Sequence, residues 1–365
     1  MSELANRVSR EICRGRGASS AQSGRFEKLA RVREPDGWDI PEEQGVLRTE
    51  VTLEQPRSVI NYVRSPDLPF DRSLNPYRGC EHGCIYCFAR PSHAWLGLSP
   101  GLDFETRLIA RPGAPEVLRR ELRARGYRVA PLAIGTNTDP YQPIERQHGI
   151  TRACLQVLSE CDHPVAVTTK GTLIERDIDI LAPMAARGLA RVGISVTTLD
   201  GDLSRRMEPR APAPRRRLET IRRLNQAGIP VRIMVSPVVP ALTDPELEAI
   251  LEAGRDAGAE AASWIMLRLP HEVSALWRDW LDEHYPDRAA RVMARLREMH
   301  GGRDYDAAWH RRMRGDGPYA HLIARRFELA ARRLGLDRRT EALRCDLFRP
   351  PAEPGDQLNL FAAHR

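Results

Sequence analysis

The sequence contains almost no lysine and no long apolar run. Lys28 and Lys170 are the two lysines among 56 Lys and Arg residues, so arginine carries nearly all of the positive charge. An ammonium group and a planar guanidinium differ in shape and hydration, so a lysine kept against this bias indicates a position that arginine cannot fill. No apolar stretch approaches the roughly 18 residues that a membrane span requires, which argues against a membrane partner.

The sequence predicts neither a secretory leader nor a disulfide framework. The opening MSELANRVSREICRGRG is polar and basic without an apolar segment, which favours a cytoplasmic location. Seven cysteines is an odd number, and a chain of 365 residues is long for a disulfide scaffold. Three of the cysteines lie between positions 80 and 87, which indicates metal or redox chemistry.

The chain is basic, with a net charge of +7 and a pI of about 9.2. A basic surface favours polyanions such as nucleic acid, and DNA is therefore a candidate partner. The alternative is a bias in arginine usage that serves no specific partner, and composition alone does not separate the two.

Short β-branched runs alternate with helical patterns from about residue 72 to 270. The runs suit strands buried on both faces, and they span 131–136, 164–170, 190–198, 230–239 and 262–269. Helical stretches lie near 114–125, 148–160, 175–187, 213–227 and 244–257. With 73–80 as the first strand, the pattern gives about six β–α units. It predicts an α/β fold, either a partial (β/α)6 TIM-like barrel or an open doubly wound sheet.

We expect four regions along the chain. Residues 1–70 lack sustained periodicity and are predicted to be an extended or partly disordered N-terminal segment, from which VINYV pairs onto the core. Residues 71–270 form the barrel, and residues 271–350 form a basic, helical C-terminal extension. Residues 351–365 form a flexible tail that carries one apolar cluster.

The cysteine cluster has the spacing Cys80-x3-Cys84-x2-Cys87. Thiolates are soft ligands that suit iron–sulfur clusters or zinc, and Gly79 and Gly83 let the backbone curl around a cluster. Three ligands on one loop can hold three corners of a cubane and leave the fourth iron open. Because the loop follows the first predicted strand, it is expected at the carboxyl ends of the strands, where α/β active sites lie.

Two alternatives to this cluster stay open at the level of spacing. A ferredoxin-type run has the different spacing C-x2-C-x2-C. A structural zinc site needs four ligands, so its fourth ligand would be remote in sequence. The candidates for it are Cys154, Cys161, His82 and His93.

The triplet, with an aromatic residue before its last cysteine, resembles the radical S-adenosylmethionine (SAM) superfamily. SLNPYRGCEHGCIYCFARPSHAWLGLSPGLDFE, GTNTDPYQPIE, TTKGTLIERDIDIL, ISVTTLD and EPRAPAPRRRL are similar to the bacterial group related to spore photoproduct lyase. The resemblance implies a [4Fe–4S] cluster on Cys80, Cys84 and Cys87, with SAM on the fourth iron. It also implies reductive cleavage of SAM to a 5′-deoxyadenosyl radical, and an electron donor such as flavodoxin or ferredoxin.

The same resemblance implies a set of SAM-binding residues. Lys170 would bind the SAM carboxylate, and its alternative role is a surface lysine at a strand end. Glu208 and Arg210 would clamp the ribose or form a local ion pair. The backbone of Tyr86 would neighbour the adenine. Hydroxyls at Thr136, Thr138, Ser195 and Thr197 would contact the amino group or ribose, or serve as turn hydroxyls. The proposed apolar wall is Val235, Val238 and Val239, for which core packing is the alternative.

Two further features bear on the reaction. A polar and aromatic group in TDPYQPIE suits substrate or SAM binding, or a capped helix start. Its members are Asp139, Tyr141, Gln142 and Glu145.

Spore photoproduct lyases carry a hydrogen-donating cysteine just before the hydroxyls after the second barrel strand, whereas this chain has GTNTD. Cys154 and Cys161 lie on a predicted helix and suit buried apolar packing. The thymine-dimer reaction is therefore in doubt, and no catalytic side chain is assigned.

The tail ends in a segment that resembles the QLxLF peptide by which bacterial repair and replication proteins bind the sliding clamp. Its anchors are Gln357, Leu358, Leu360 and Phe361. Such a peptide fills a hydrophobic groove, whereas the alternative is a tail that folds back on its own domain. The sequence therefore favours a radical SAM enzyme that acts on nucleic acid, as in DNA repair. The alternatives are a radical SAM enzyme for a protein or small molecule, and a non-catalytic, clamp-associated Fe–S protein that binds DNA.

Overall fold

A computed structural model describes residues 13, 15–27, 47–338 and 341–352. Ten strands fall within these ranges, most of them short and buried. They are β1 (Glu50–Leu53), β2 (Ile60–Tyr62), β3 (Arg72–Leu74), β4 (Tyr77–Arg78), β5 (Arg107–Ala110), β6 (Leu132–Ile134), β7 (Val165–Thr169), β8 (Ala190–Ser195), β9 (Val231–Val238) and β10 (Ala261–Met266).

The main sheet has the order β10-β9-β8-β7-β6-β3-β2. The first six of these strands pair in parallel, and β2 pairs antiparallel with β3. VINYV, which contains β2, thus pairs onto the core as expected, in an orientation that the sequence did not predict. The order has two edges, β10 and β2, so the described sheet is open. The predicted α/β fold is confirmed, with six parallel strands in a partial barrel.

Helices alternate with the parallel strands, as the sequence predicts. The described α-helices are α1 (Asp103–Thr106), α2 (Ala114–Arg123), α3 (Glu145–His148), α4 (Ile150–Glu160), α5 (Ile178–Ala186), α6 (Gly201–Met207), α7 (Pro214–Gln226), α8 (Leu247–Asp256), α9 (Val273–His284), α10 (Pro286–Met299) and α11 (Pro318–Arg333). Short 3-10 helices span Arg90–Leu96, Thr172–Asp177 and Asp244–Glu246. Since side chains alternate along a strand, one face of the sheet packs on these helices and the other lines the barrel interior. Val165, Val167, Val231 and Ile233 are buried in the shared core.

A second sheet lies at the start of the cysteine segment. Its order is β1-β5-β4, with β1 parallel and β4 antiparallel to β5. Strand β4 ends at Arg78, two residues before Cys80. The N-terminal strand β1 therefore belongs to the sheet from which the cysteine loop emerges.

The C-terminal extension supplies α9, α10 and α11, as predicted. Trp277 and Trp280 of α9 stack with ring centroids 5.0 Å apart and are buried. The backbone N–H of Met266 donates to the carbonyl of Met313 over 2.9 Å, so this extension continues from the β10 edge of the barrel. None of the helices in the described ranges has the length and apolar character needed to cross a membrane.

Candidate active site

The cysteine loop lies between β4 and the 3-10 helix Arg90–Leu96. Gly79 and Gly83 have φ of +75° and +67°, in the left-handed region that favours glycine. A Cβ at Gly83 would lie 2.5 Å from a carboxylate oxygen of Glu105, so this position has no room for a side chain. The predicted role of both glycines in curling the loop is confirmed.

A fully buried arginine holds the loop from within. The guanidinium of Arg90 donates to the backbone carbonyl of Cys84 over 3.0 Å and to that of Gly83 over 3.2 Å. It also donates to Gly101 over 2.9 Å and forms a buried ion pair with Glu105. Sequence reasoning missed this residue, since nothing local in FARPSH distinguishes a buried arginine from an exposed one.

The N-terminal segment completes the support of the loop. Glu105 accepts hydrogen bonds from the backbone N–H groups of Gly17 and Ala18 over 2.8 and 2.9 Å. The guanidinium of Arg16 donates to the carbonyl of Glu105 over 2.9 Å and to Thr49 Oγ1 over 3.0 Å. A stretch without periodicity in the sequence thus packs directly against the cysteine loop.

Three thiols are brought together on this loop in surroundings that disfavour free thiolates. Cys80 and Cys84 are buried and Cys87 is half-buried. Burial raises the pKa of Cys84 to about 12 and raises the pKa of Cys80 and Cys87 as well. The free loop therefore carries neutral thiols, and a bound metal cation would remove their protons. Three soft donors on one tightly curled loop suit an iron–sulfur cluster.

Lys170 follows the last residue of β7 and lies beside this loop. Its ammonium nitrogen is 5.7 Å from the ring centroid of Tyr86, and among the described residues no carboxylate lies within ion-pair distance. Burial disfavours the charged form of Lys170, but the negative charge of Cys84 when it is a thiolate and that of Glu208 outweigh burial and raise the pKa of Lys170. The site therefore holds a charged ammonium next to the thiols, as the binding of a carboxylate requires.

Glu208 is the centre of a buried hydrogen-bond network around Tyr86. Thr197 Oγ1 donates to one carboxylate oxygen over 2.7 Å, and the hydroxyl of Tyr86 donates to the same oxygen. Arg217 of α7 forms an ion pair with the other oxygen. Burial opposes ionisation, yet the charges of Arg217 and Lys170 lower the pKa of Glu208 to about 2. Glu208 is thus an anion held between two cations.

Glu208 and Arg210 do not form the local ion pair that was the alternative to a ribose clamp. Arg210 Nη2 donates instead to Glu81 Oε1 in the cysteine loop over 2.6 Å. Arg217 pairs with Glu208 instead, because its position in the first turn of α7 directs its side chain toward the sheet. There its guanidinium also donates to the backbone carbonyl of Ser195 over 3.1 Å. The run of three arginines at 215–217 offered no signal for which member is buried.

The predicted hydroxyls fall into two places. Ser195 and Thr197 lie with the network of Glu208, and Ser195 Oγ donates to the carbonyl of Ser236 over 2.9 Å. Thr136 and Thr138 lie after β6, where Thr138 Oγ1 donates to the carbonyl of Tyr77 over 3.2 Å and Thr136 Oγ1 accepts from Asn75 over 3.4 Å. Val235, Val238 and Val239 are buried in the hydrophobic core.

The polar group after β6 supports the site. Asp139 accepts from the backbone N–H of Lys170 over 2.7 Å and lies 3.3 Å from His82 Nδ1. Gln142 accepts from the backbone N–H of Glu81 over 2.8 Å and donates to the carbonyl of Gly79 over 3.1 Å. These side chains therefore join the cysteine loop to the end of β7.

The two remaining members of this group lie deeper. Tyr141 donates to Asp177 over 3.0 Å, and Glu145 accepts from the backbone N–H of Thr151 over 2.9 Å. Cys154 and Cys161 are buried on α4 or at its end, as predicted for packing cysteines. Cys161 Sγ donates to the carbonyl of Val157 over 2.9 Å.

Comparison with known proteins identifies the family. Residues 74–254 match the family model of the Radical SAM superfamily. An uncharacterized protein of Mycobacterium tuberculosis is 34% identical over 280 residues, which cover 76% of this chain and 80% of that protein. The chain belongs to the radical SAM superfamily. An uncharacterized protein of Methanocaldococcus jannaschii is 24% identical over 200 residues, which cover 54% of this chain and 71% of that protein.

Solved structures agree on the radical SAM fold. Spore photoproduct lyase complexed with dinucleoside spore photoproduct superposes with a TM-score of 0.56 at 13% identity, covering 78% of this chain and 79% of that chain. A variant of that lyase with bound AdoMet and dinucleoside spore photoproduct gives 0.56 at 13% identity, covering 78% of each chain. At these identities the likeness concerns the fold.

As a member of this superfamily the protein is a radical SAM enzyme, and its cofactors are a [4Fe–4S] cluster and SAM. The buried thiols suit the cluster, and the ammonium of Lys170 suits the SAM carboxylate. When bound, these cofactors supply a 5′-deoxyadenosyl radical by one-electron reduction of SAM. The chain itself orients the thiols through Arg90, and fixes Tyr86 through Glu208 and Arg217.

We expect Lys170→Met to raise the dissociation constant of SAM roughly 10- to 150-fold, since a hydrogen bond to a charged group contributes about 1.5–3 kcal/mol. Isothermal titration of the reconstituted protein measures this constant. Lys170→Arg should recover only part of the affinity, because a guanidinium differs in shape from an ammonium. Lys28→Met, which removes the other lysine of the chain, is the matched control. Equal affinities of Lys170→Met and the control would contradict the assignment.

Proposed function

We propose that this radical SAM enzyme acts on a nucleic acid, in a reaction of the DNA-repair type. The observation that carries the proposal is a cavity of about 510 Å³ on the interior face of the barrel. Ligand sites commonly have volumes of about 300–1,000 Å³. This cavity is therefore large enough for a nucleotide withdrawn from its strand, as enzymes that modify a base in DNA require.

The position of the cavity supports this use. It is lined by Thr168 of β7, Gly193 of β8 and Met234 of β9. Lys170 and Ser195 follow Thr168 and Gly193 by two residues, so they lie on the same face of the sheet, nearer the carboxyl ends of the strands. A substrate in the cavity would therefore lie next to the residues that we expect to hold SAM, on the side toward the amino ends of the strands.

Two further observations favour a nucleic acid over a protein or a small metabolite. The net charge of +7 favours a polyanion, and arginine supplies nearly all of the basic residues. Spore photoproduct lyase, whose fold this chain shares, has been solved with dinucleoside spore photoproduct. The thymine-dimer reaction itself is not proposed, because GTNTD lacks the cysteine expected after the second barrel strand.

Deuterium transfer tests the substrate class. The reconstituted, reduced enzyme is incubated with SAM and with deuterated DNA, RNA, protein or small-metabolite fractions prepared from deuterium-grown cells. Mass spectrometry of 5′-deoxyadenosine should show deuterium gained from a nucleic-acid fraction. Gain from the protein or metabolite fraction alone would overturn the proposal and favour the corresponding alternative.

The remaining partners are proposals that rest on the sequence. The QLNLF segment at 357–361 lies outside the described residues, and we propose that it binds the DNA sliding clamp. Its deletion should abolish capture of the protein by purified clamp, and undiminished capture would contradict the assignment. A flavodoxin or ferredoxin is proposed as electron donor, and the cytoplasm as the location, where such donors are available.

A further inference from the structure

Two segments that are distant in sequence cover the open side of the barrel. The described main sheet has β2 at one edge and β10 at the other. Residues 66–70 follow β2, residues 310–314 belong to the extension after β10, and members of both segments line the cavity of about 510 Å³. The cavity therefore lies between the sheet and these two segments, and a substrate that enters from the open side passes them.

One carboxylate joins the two segments. Asp67 accepts hydrogen bonds from Arg312 Nε over 2.6 Å and from the backbone N–H of His310 over 2.7 Å. Arg312 Nη2 donates in addition to Ser65 Oγ over 2.6 Å. The side chain of Asp67 is 4% exposed, so this contact is shielded from water. The charge of Arg312 is thus paired, and two hydrogen bonds fix the plane of its guanidinium.

Arg312 in turn supports an exposed tryptophan. Its guanidinium carbon lies 4.4 Å from the ring centroid of Trp309, a cation–π contact that covers one face of the indole. Trp309 is nevertheless 49% exposed, whereas Trp264, Trp277 and Trp280 are buried. An indole that is held on one side and exposed on the rest of its surface is available for stacking.

Trp309 lies at the rim of the cavity. It directly precedes His310, which lines the cavity, and its supporting arginine binds Asp67, which lines the cavity too. An enzyme that acts on a base takes the nucleotide out of the stack and into a pocket. The neighbouring base then stays outside the pocket and loses a stacking partner, which an aromatic ring at the rim can replace.

We propose that Trp309 is a stacking platform for the base adjacent to the nucleotide that enters the cavity. The partner that fits this surface is a nucleic-acid strand with unpaired bases. Every base has a π-face, so such a contact tolerates any sequence. Arg312 serves as the support of the ring, a role that is compatible with its ion pair to Asp67. The platform rests on the proposed function and adds a contact outside the cavity.

Binding of labelled single strands to the reconstituted holoenzyme, measured by fluorescence anisotropy, tests the platform. Oligo(dT) should bind more tightly than an abasic strand of the same length, because both carry the same phosphates and one of them lacks bases. Trp309→Ala should weaken the binding of oligo(dT) about 5- to 150-fold, which corresponds to the loss of one stacked base. The affinity for the abasic strand should stay unchanged, and Trp309→Phe should retain part of the affinity for oligo(dT).

Trp95→Ala is the matched control. Trp95 is a second exposed tryptophan, 72% exposed, but it stacks on Phe26 and is not part of the cavity lining. This variant should bind oligo(dT) as the wild type does, and iron content and SAM affinity report whether each variant is folded. Equal affinity of the wild type for the two strands, unchanged affinity in Trp309→Ala, or an equal loss in Trp95→Ala would overturn the platform.

Deuterium transfer separates the platform from the proposed function. Transfer from nucleic acid combined with binding that does not depend on Trp309 would overturn the platform alone. Base binding that depends on Trp309, combined with deuterium gained from the protein or metabolite fraction alone, would overturn the proposed function alone.

Discussion

Replacement of Cys84 by alanine should abolish the formation of 5′-deoxyadenosine from SAM. Cys84 is the middle ligand of the loop, and its backbone carbonyl also accepts a hydrogen bond from the guanidinium of Arg90. Without its thiolate the cluster loses one of three protein ligands, and each iron–sulfur cluster depends on these thiolates to be held in the protein. After anaerobic reconstitution, iron analysis measures the loss of the cluster, and quantification of 5′-deoxyadenosine measures the loss of activity.

Cys154→Ala is the matched control for this experiment. Cys154 is a fully buried thiol on α4, so its replacement changes the same atoms outside the cysteine loop. The control should keep its iron and its product formation. Full activity of Cys84→Ala, or an equal loss in Cys154→Ala, would contradict the assignment of the ligands.

Arg217→Met should lower the free energy of unfolding by about 3–5 kcal/mol, the cost of removing one partner from a buried ion pair. Arg217 and Glu208 are both almost completely buried, and Arg217 also donates to the carbonyl of Pro212 over 2.7 Å. Its removal leaves the Glu208 carboxylate with Lys170 as its nearest compensating charge. Urea denaturation of the reconstituted protein measures the change.

A double-mutant cycle separates this ion pair from general damage to α7. Glu208→Gln combined with Arg217→Met removes both charges, so the double variant should be less destabilised than the sum of the two single variants. Arg215→Met, on the exposed side of the same helix, should stay within about 0.5 kcal/mol of the parent. Strict additivity of the two single variants would contradict a direct pair.

The sequence predicted the features that repeat or that lie close together along the chain. The parallel strands are recognisable because strands buried on both faces are nearly all apolar, and the cysteine triplet because its ligands lie on one loop. Gly79 and Gly83 belong to the same group, since the need for a left-handed conformation is local. These features fix the fold and the place of the cluster.

The hydrogen bonds and ion pairs that support the site could not be predicted, because the two residues of each contact lie far apart in the sequence. Glu208 pairs with Arg217 and not with Arg210, although Arg210 is closer in the sequence. The packing of α7 against the sheet decides which arginine is buried. Likewise, nothing near Glu105 indicates that its carboxylate binds Gly17 and Ala18. Such contacts are set by tertiary packing.

Arg191 and Arg232 each interrupt a predicted apolar strand, and each stands at an alternate position to the residues that pack on the helices. Strand side chains alternate between the two faces of a sheet, and the structure places both arginines on the face that lines the cavity.

The quantity of 5′-deoxyadenosine formed from SAM tests the account most directly. The wild-type chain is reconstituted with iron and sulfide under anaerobic conditions, reduced, and incubated with SAM. We predict that 5′-deoxyadenosine and methionine form in equal amounts, and that Cys84→Ala forms neither. An intact cluster with no cleavage of SAM under reducing conditions, with or without nucleic acid, would contradict the account and favour a non-catalytic role for the cluster.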